Sequence, residues 1–66
     1  MKNNIRVERA IKKITQEQLA NLVGVSRQSI NAIEAGKYVP STVLALKLAR
    51  VFEKPVEEIF ELEEED

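Results

Sequence analysis

Apolar residues recur with a helical period near the start of the chain. A helix has about 3.6 residues per turn, so a spacing of i, i+3, i+4 and i+7 brings four side chains onto one face. Here that spacing is followed by Val7, Ala10, Ile11 and Ile14. The pattern predicts an amphipathic helix over about Ile5–Lys13, with the stripe, and Ile5 beside it, facing the core.

A second helix is predicted over about Gln16–Val23. Thr15 is a good N-cap, and Gln18 follows three residues later, as in a capping box. The apolar stripe predicted to face inward consists of Leu19, Leu22 and Val23. Gly24 then stands where a helix commonly ends in the left-handed conformation, so a tight turn is expected there.

A third helix is predicted over about Arg27–Ala35, with Ser26 as its N-cap. Its apolar stripe is small and consists of Ile30 and Ile33. Glu34 falls close to that stripe. Because a carboxylate buried without a partner is costly, a cation is expected to lie against it.

The fourth helix is predicted over about Thr42–Phe52, after an N-cap at Ser41. Its inward stripe is expected to be Ala45, Leu48, Ala49 and Phe52. Four further apolar residues occupy its other faces: Val43, Leu44, Leu46 and Val51. A helix that is apolar on more than one face is either deeply buried or covered by a partner.

Pro55 stands where the first residue of a short fifth helix would be, with Val56, Ile59 and Phe60 as its apolar set. The acidic tail, residues 61–66, follows. Alternation of apolar and acidic residues there predicts either a short strand paired with Met1–Asn4 or a frayed end. Five short helices with short connections make an all-α domain.

Composition limits the function classes that remain. The chain has 66 residues, no Cys and no His, which favours one domain and excludes disulfides and the common tetrahedral zinc sites. No apolar run approaches the roughly 18 residues of a membrane span. Without His or Cys, and with no convergent Ser and acidic residues, an enzyme is not expected. We therefore predict a cytoplasmic protein that needs no metal or other cofactor.

The net charge of −1 conceals an uneven distribution. Residues 1–40 hold seven basic groups and three acidic ones, whereas residues 41–66 hold three basic and eight acidic. A basic half facing phosphate and an acidic half turned away would fit a nucleic-acid binder. Uneven charge is also common in short chains, so this split has little weight alone.

The run TQEQLANLVGVSRQSINAIEAGKYVPS resembles the helix-turn-helix of Cro- and phage-repressor-type regulators, the XRE family. The resemblance extends over about residues 5–60, with the motif itself in 16–35, and the two ends of the chain look like those of the compact dimeric members. It implies a five-helix, λ-repressor-like DNA-binding domain, with a small antiparallel ribbon between the termini. The matching residues are Gln16, Leu19, Ala20, Gly24, Val25, Ser26, Ile30, Ile33, Glu34, Gly36, Lys37, Pro40 and Ser41.

The resemblance places the third helix in the major groove of double-stranded DNA. A reading helix needs long or amide side chains near its N-terminus, and Arg27 and Gln28 supply them. Arg suits the O6 and N7 atoms of guanine, and Gln suits adenine. Asn31 is expected at a base edge or a phosphate, and Ala32 against a thymine methyl. Ordinary solvated helix surface is the alternative for all four residues.

Phosphate contacts are implied for a second set of residues. In the family, the residue matching Gln16 holds a phosphate and braces the reading helix. Ser29, Lys37 and Tyr38 resemble the family's phosphate-positioning set at the other end of that helix. For Lys37 and Tyr38, a capped and exposed loop is the alternative.

The resemblance also implies an ion pair between Glu34 and Arg9, which would be structural rather than a binding feature. Removing one partner of such a pair would cost about 3–5 kcal/mol if it is buried. Glu8 departs from the family, which usually has an apolar residue there. Two partners are expected for Glu8: Lys12, one turn later, or Arg9.

Spare apolar surface on the last two helices predicts a homodimer, since a domain this small gains from a partner. A monomer with an apolar patch is the alternative. The predicted interface consists of Leu44, Val51, Pro55, Val56, Phe60 and Leu62.

The expected function is therefore transcriptional regulation, with repression favoured, through a dimer on an inverted-repeat operator. No small-molecule ligand is indicated. The competing function is that of a protein-binding module, an antitoxin or adaptor, which uses the apolar surface of the fourth and fifth helices.

Overall fold

The computed structural model describes residues 1–66. It is an all-α fold of five helices with a two-stranded ribbon at the termini, so the predicted fold class is confirmed. The second and fourth helices have the predicted bounds, and the first and third end one residue earlier. The elements are β1 (Lys2–Asn3), α1 (Ile5–Lys12), α2 (Gln16–Val23), α3 (Arg27–Glu34), α4 (Thr42–Phe52), α5 (Val56–Ile59) and β2 (Phe60–Glu61). None of these helices has the length and apolar character needed to cross a membrane.

The capping residues set the ends of the helices. The Thr15 hydroxyl accepts from the N–H of Gln18 at 3.0 Å, and the Gln18 side chain accepts from the N–H of Thr15 at 2.9 Å. This reciprocal capping box satisfies two N–H groups at the start of α2. Gly24 ends α2 at φ 76°, a left-handed conformation that glycine adopts without strain.

One core of twelve buried hydrophobic residues joins all five helices. Within it, α3 packs chiefly on α2, while α4 contacts α1, α2 and α5. The core therefore holds α2 and α3 as a unit and places α4 behind them. Its members are Ile5, Leu19, Ala20, Val23, Ile30, Ile33, Leu44, Leu48, Ala49, Phe52, Ile59 and Phe60.

The predicted inward face of α1 is wrong. Val7 and Ile11 are 57% and 61% exposed, and Ala10 is exposed as well. The buried residues of α1 are Ile5 and Glu8. The helix is thus rotated so that its charged side chains reach partners in the fold and most of its apolar stripe faces solvent.

Glu8 explains this rotation. Its side chain is 7% exposed, and its Oε2 accepts from the ammonium group of Lys54 at 2.8 Å. Neither expected partner is used, since Lys12 lies 3.4 Å from Glu53 and Arg9 binds Glu34. A long-range ion pair to the connection between α4 and α5 therefore fixes α1.

The predicted stripe of α2 is also corrected at one position. Leu22 is 62% exposed, whereas Leu19, Ala20 and Val23 are buried. At about 100° per residue, these three share one side of the helix, and Leu22 lies about 60° beyond the edge of that side. Leu22 is therefore surface, and Ala20 takes its place in the core.

Two residues of the predicted dimer interface belong to the core of the protomer. Leu44 and Phe60 are only 7% and 9% exposed, because both side chains pack within the hydrophobic core. They have little surface left for a partner. Of the rest, Pro55 and Leu62 are exposed, and Val51 and Val56 are half-buried.

The ribbon joins the two ends of the chain in antiparallel register, with Lys2 opposite Glu61 and Asn3 opposite Phe60. The tail beyond it turns back instead of extending into solvent. The amino group of Met1 lies 3.0 Å from the carboxylate of Glu63 and 3.1 Å from that of Asp66. Ion pairs thus hold the acidic tail against the start of the chain.

Candidate nucleic-acid interface

The exposed side of α3 carries the polar residues that the sequence singled out. The side chains of Arg27, Gln28 and Asn31 are exposed, and Ala32 is half-buried. Together with Gln16 of α2, the three polar residues line a shallow cleft of about 170 Å³. Guanidinium and amide groups in one concave surface can donate and accept hydrogen bonds at base edges.

Gln16 links the two helices across this cleft. Its Nε2 donates to Oδ1 of Asn31 at 3.3 Å. The Asn31 oxygen is therefore occupied, while its amide N–H groups remain available for a ligand. This contact orients Asn31 and ties the first turn of α2 to the outer face of α3.

A second cleft, of about 420 Å³, adjoins the first at the start of α2. Gln16 and Arg27 line both clefts. The first N–H groups of a helix lack partners within the helix and favour negative charge. A phosphate here would lie beside a base edge in the first cleft, with Arg27 within reach of both. The full lining is Arg9, Ile14, Thr15, Gln16, Glu17 and Arg27.

Ser29 is engaged within α3 itself. Its N–H donates to the Ser26 hydroxyl at 3.1 Å, and the two hydroxyl oxygens lie 3.0 Å apart. Its hydroxyl thus contributes to the cap of α3 before any ligand arrives.

Lys37 and Tyr38 lie in the loop after α3, and both are exposed. Tyr38 lines a cleft of about 220 Å³ that also contains Gly24, from the turn before α3, and Lys47 of α4. Ser29 is not part of this cleft, so the structure does not bring it together with Tyr38. Lys47 adds a cation at this end that the sequence analysis had counted only with the acidic half.

Arg9 and Glu34 form a bidentate pair behind the interface. Nε and Nη2 of Arg9 donate to the two carboxylate oxygens at 2.7 and 3.1 Å, and the Glu34 side chain is 1% exposed. Nη1 of Arg9 also donates to the carbonyl of Ile14 at 3.1 Å. The hydrogen bonds that Arg9 donates to Glu34 raise the pKa of Arg9 above its usual value. The pair anchors α3 to α1 and leaves little of Glu34 free for a ligand.

Two residues that hold α1 and α3 in place were not predicted from the sequence. Lys54 neutralises Glu8, and a departure from the family pattern at Glu8 was the only signal that a new cation was needed. Asn3 donates from its Nδ2 to the carbonyl of Ile33 in α3, at 2.9 Å. Nothing in the spacing of a terminal Asn indicates such a contact.

Comparison with known proteins gives consistent matches along the chain. A protein-family model described as helix-turn-helix matches residues 5–59. An uncharacterised HTH-type transcriptional regulator of Methanocaldococcus jannaschii is 50% identical over 66 residues, which is 100% of both chains. A second uncharacterised HTH-type transcriptional regulator, YgzD of Bacillus subtilis, is 48% identical over the same length, again 100% of both.

A solved structure is also similar. It is the crystal structure of the restriction-modification controller protein C.AhdI from Aeromonas hydrophila. It superposes with a TM-score of 0.77 at 36% sequence identity, and the match covers 85% of each chain.

Proposed function

The chain belongs to the helix-turn-helix family of transcriptional regulators, and from this premise we propose that it represses transcription as a homodimer bound to an inverted-repeat operator. The resemblance to Cro- and repressor-type regulators is confirmed, and the family is one of regulators rather than enzymes. What remains to be argued is which residues read DNA and how two copies are arranged.

The cleft lined by Gln16, Arg27, Gln28 and Asn31 is the observation that carries the proposal. It lies on the solvent side of α3, where a helix entering the major groove presents its N-terminal residues to base edges. We assign base contacts to Arg27, Gln28 and Asn31. Ala32, on the same helix, is half-buried. The part of its methyl group that stays exposed is assigned the contact with a thymine methyl.

Phosphate contacts flank this reading surface in the proposal. Gln16 serves at the start of α2, where helix N–H groups are free. Lys37 and Tyr38 serve at the other end, with Lys47 beside Tyr38. Ser29 is a weaker candidate for a phosphate contact, because its hydroxyl already forms a hydrogen bond with that of Ser26. Contacts of this kind set register and orientation without reading sequence.

We assign the contact with the second copy of the chain to the side of the molecule formed by α4 and α5. A shallow groove of about 620 Å³ there includes Leu46, Pro55 and Val56, and Leu62 is exposed nearby in sequence. Two-fold pairing through this surface would set two α3 helices about 34 Å apart, one turn of DNA.

Residues 1–66 then act as one domain, and repression follows from occupancy of the operator. Regulators of this kind work where chromosomal DNA lies, which in bacteria and archaea is the cytoplasm.

A protein-binding module remains the second candidate, since α4 exposes an apolar side chain outside the groove, that of Val43, in addition to Leu46 within it. Val43 is 64% exposed and Leu46 55% exposed. Such a patch fits an apolar partner surface as well as a second copy. The two functions are compatible in one molecule and separate on mutation of α3.

Selection of bound sequences from random duplex DNA tests the proposal. An enriched inverted repeat, with half-site centres about one helical turn apart, is expected. Gln28→Ala should abolish the enrichment at one or more positions, at a cost of about 1–3 kcal/mol, without unfolding the domain. Recovery of no preferred sequence by the folded wild type would contradict the proposal. Light scattering on the same sample tests the dimer. A protein that is monomeric and still binds the repeat tightly would exclude it.

A further inference from the structure

The last turn of α3 is held from outside the helix-turn-helix at two consecutive residues. The carbonyl of Ile33 accepts from Nδ2 of Asn3 at 2.9 Å, and the carboxylate of Glu34 accepts from Arg9 at 2.7 Å. The carbonyl of Ile33 also accepts from the N–H of Gly36 at 3.0 Å, so both of its lone pairs are used. The end of α3 is therefore tied to α1 and to the ribbon.

Asn3 is itself fixed on its other sides. Its Oδ1 accepts from the N–H of Ile5 at 3.2 Å, and its backbone lies opposite Phe60 in the ribbon. The residue is half-buried. Its amide can thus hold one orientation, with the oxygen toward α1 and the N–H toward α3. This is the one side-chain hydrogen bond between the ribbon and α3.

We propose that Asn3 is a positioning residue for DNA recognition, through which the terminal ribbon sets the tilt of α3. This inference rests on the proposed function, in which α3 reads the major groove. Gln16 restrains the middle of α3 through Asn31. Asn3 and Arg9 restrain its C-terminal end. A reading helix held at these two places loses less freedom on binding, so the bond to Asn3 contributes to affinity without touching DNA.

Variants at Asn3 separate its two hydrogen bonds. Asn3→Asp keeps an acceptor for the N–H of Ile5 but offers no N–H to Ile33. Asn3→Ser is a neutral variant whose side chain is too short to span to α3, which controls for the added charge. Asn4→Ala is the matched control, since it removes a bond to α5 from the residue that follows β1, from Nδ2 of Asn4 to the carbonyl of Glu58, and leaves α3 untouched.

Binding of each variant is measured on the selected operator and on a random duplex, with the thermal midpoint of the free protein beside it. Asn3→Asp and Asn3→Ser should lose operator affinity by about threefold, and by no more than about tenfold, because the bond also forms in the free protein and its net value sets the upper limit. Their affinity for the random duplex should change by less than about twofold, because phosphate contacts dominate there. Asn4→Ala should match the wild type on both. Equal losses on the two duplexes, or losses that follow the thermal midpoint in all three variants, would overturn the proposal.

Amide hydrogen exchange on the free protein keeps this inference distinct from the proposed function. The N–H groups of Gly36 and Lys37, which bond to the last turn of α3, should exchange faster in Asn3→Asp and Asn3→Ser than in Asn4→Ala. Unchanged exchange would refute the positioning of α3 by Asn3, whatever DNA is bound. If exchange rises but the wild type selects no operator, the proposed function fails and the mechanical link stands without its role in recognition.

Discussion

The side chain of Gln16 donates to that of Asn31 across 3.3 Å, between residues fifteen positions apart in sequence. The bond lies on the exposed side of the molecule, where water competes for both amides, so its net value falls at or below the lower end of the usual range, about 0.5 kcal/mol. It contributes little to stability, and its value lies in holding the amide of Asn31 in one place. The first turn of α2 and the reading face of α3 thereby behave as one surface.

Gln16→Ala should weaken operator binding by about threefold to tenfold, because it removes the hydrogen bond to Asn31 and the proposed phosphate contact. The thermal midpoint should hardly change. Gln18→Ala, in the same helix, is the control: it breaks the capping box and should cost about 1 kcal/mol of stability while the preferred sequence stays the same. Fluorescence anisotropy and thermal melts measure the two effects. The assignment fails if both variants lose affinity only in proportion to stability.

Arg9→Ala should destabilise the fold by about 3 kcal/mol, because it removes the bidentate partner of the Glu34 carboxylate, which is 1% exposed. The cation left nearby is Arg6, whose Nε lies 3.7 Å from the carboxylate and whose side chain is 81% exposed. Urea denaturation followed by circular dichroism gives the free energy of unfolding. Arg9→Met combined with Glu34→Leu should recover much of the loss, since an apolar pair needs no desolvation of charge. A single variant as stable as the wild type would show that the pair is open to water.

The pair of Glu8 and Lys54 should respond asymmetrically to mutation. Lys54→Ala leaves a carboxylate that is 7% exposed without a partner, at a cost of about 1–3 kcal/mol in unfolding free energy. Glu8→Leu leaves only Lys54, whose side chain is 38% exposed and can turn to solvent. That variant should be as stable as the wild type or more so. Urea melts of the two proteins test this order, and the reverse order would show that the pair contributes net stability.

Lys13 ends α1 at φ 58°, a left-handed conformation that is strained for a residue with a Cβ. Lys13→Gly should therefore stabilise the fold by up to about 1 kcal/mol. Lys12→Gly, one residue earlier and inside the helix, should instead destabilise it by about 0.5–1 kcal/mol. Thermal unfolding of the two variants gives the comparison. The strain would be disproved by a loss of stability in both.

The ribbon should be firmest near neutral pH. The hydrogen bonds that the Met1 ammonium group donates to Glu63 and Asp66 raise its pKa above 8.0, so its contribution is complete below that pH and is lost as the pH rises through the raised value. The bond from the N–H of Glu63, and then the amine, lowers the pKa of Asp66 below 3.8. That contribution is complete above 3.8 and is lost as the pH falls through the lowered value.

Nuclear magnetic resonance of the ribbon amides over a pH series checks this window. The signals of Lys2 and Glu61 should move at both ends of the series. Asp66→Asn should leave the alkaline change in place and remove most of the acid one. Signals that stay constant across the series would show that the tail is not held by charge.

Local signals explain why the helices could be predicted from sequence. Caps at Thr15, Ser26 and Ser41 and the left-handed turn at Gly24 depend only on residues within one turn of each other. The choice of which face of α1 is buried does not. The buried side of α1 instead carries charged residues whose partners lie far along the chain, Glu8 with Lys54 and Arg9 with Glu34, while Val7 and Ile11 stay exposed. Periodicity cannot reveal such distant partners.

The candidate site divides along the same line. Arg27, Gln28 and Asn31 could be proposed from the sequence because residue type and position on one short helix suffice for them. The bond between Asn3 and Ile33 joins residues thirty positions apart in sequence. The position of the Asn3 side-chain amide depends on the ribbon to which Asn3 belongs. Tertiary placement alone identifies residues of this second kind.

The pairing of Lys2 with Glu61 also bears on the order of folding. Contacts between positions so far apart close a long loop of chain, which is slow compared with the formation of adjacent helices. In a folding chain, α2 and α3 are adjacent in sequence, so they can assemble before the ribbon closes. The chain would thus hold a formed but incompletely anchored α3 until β1 pairs with β2.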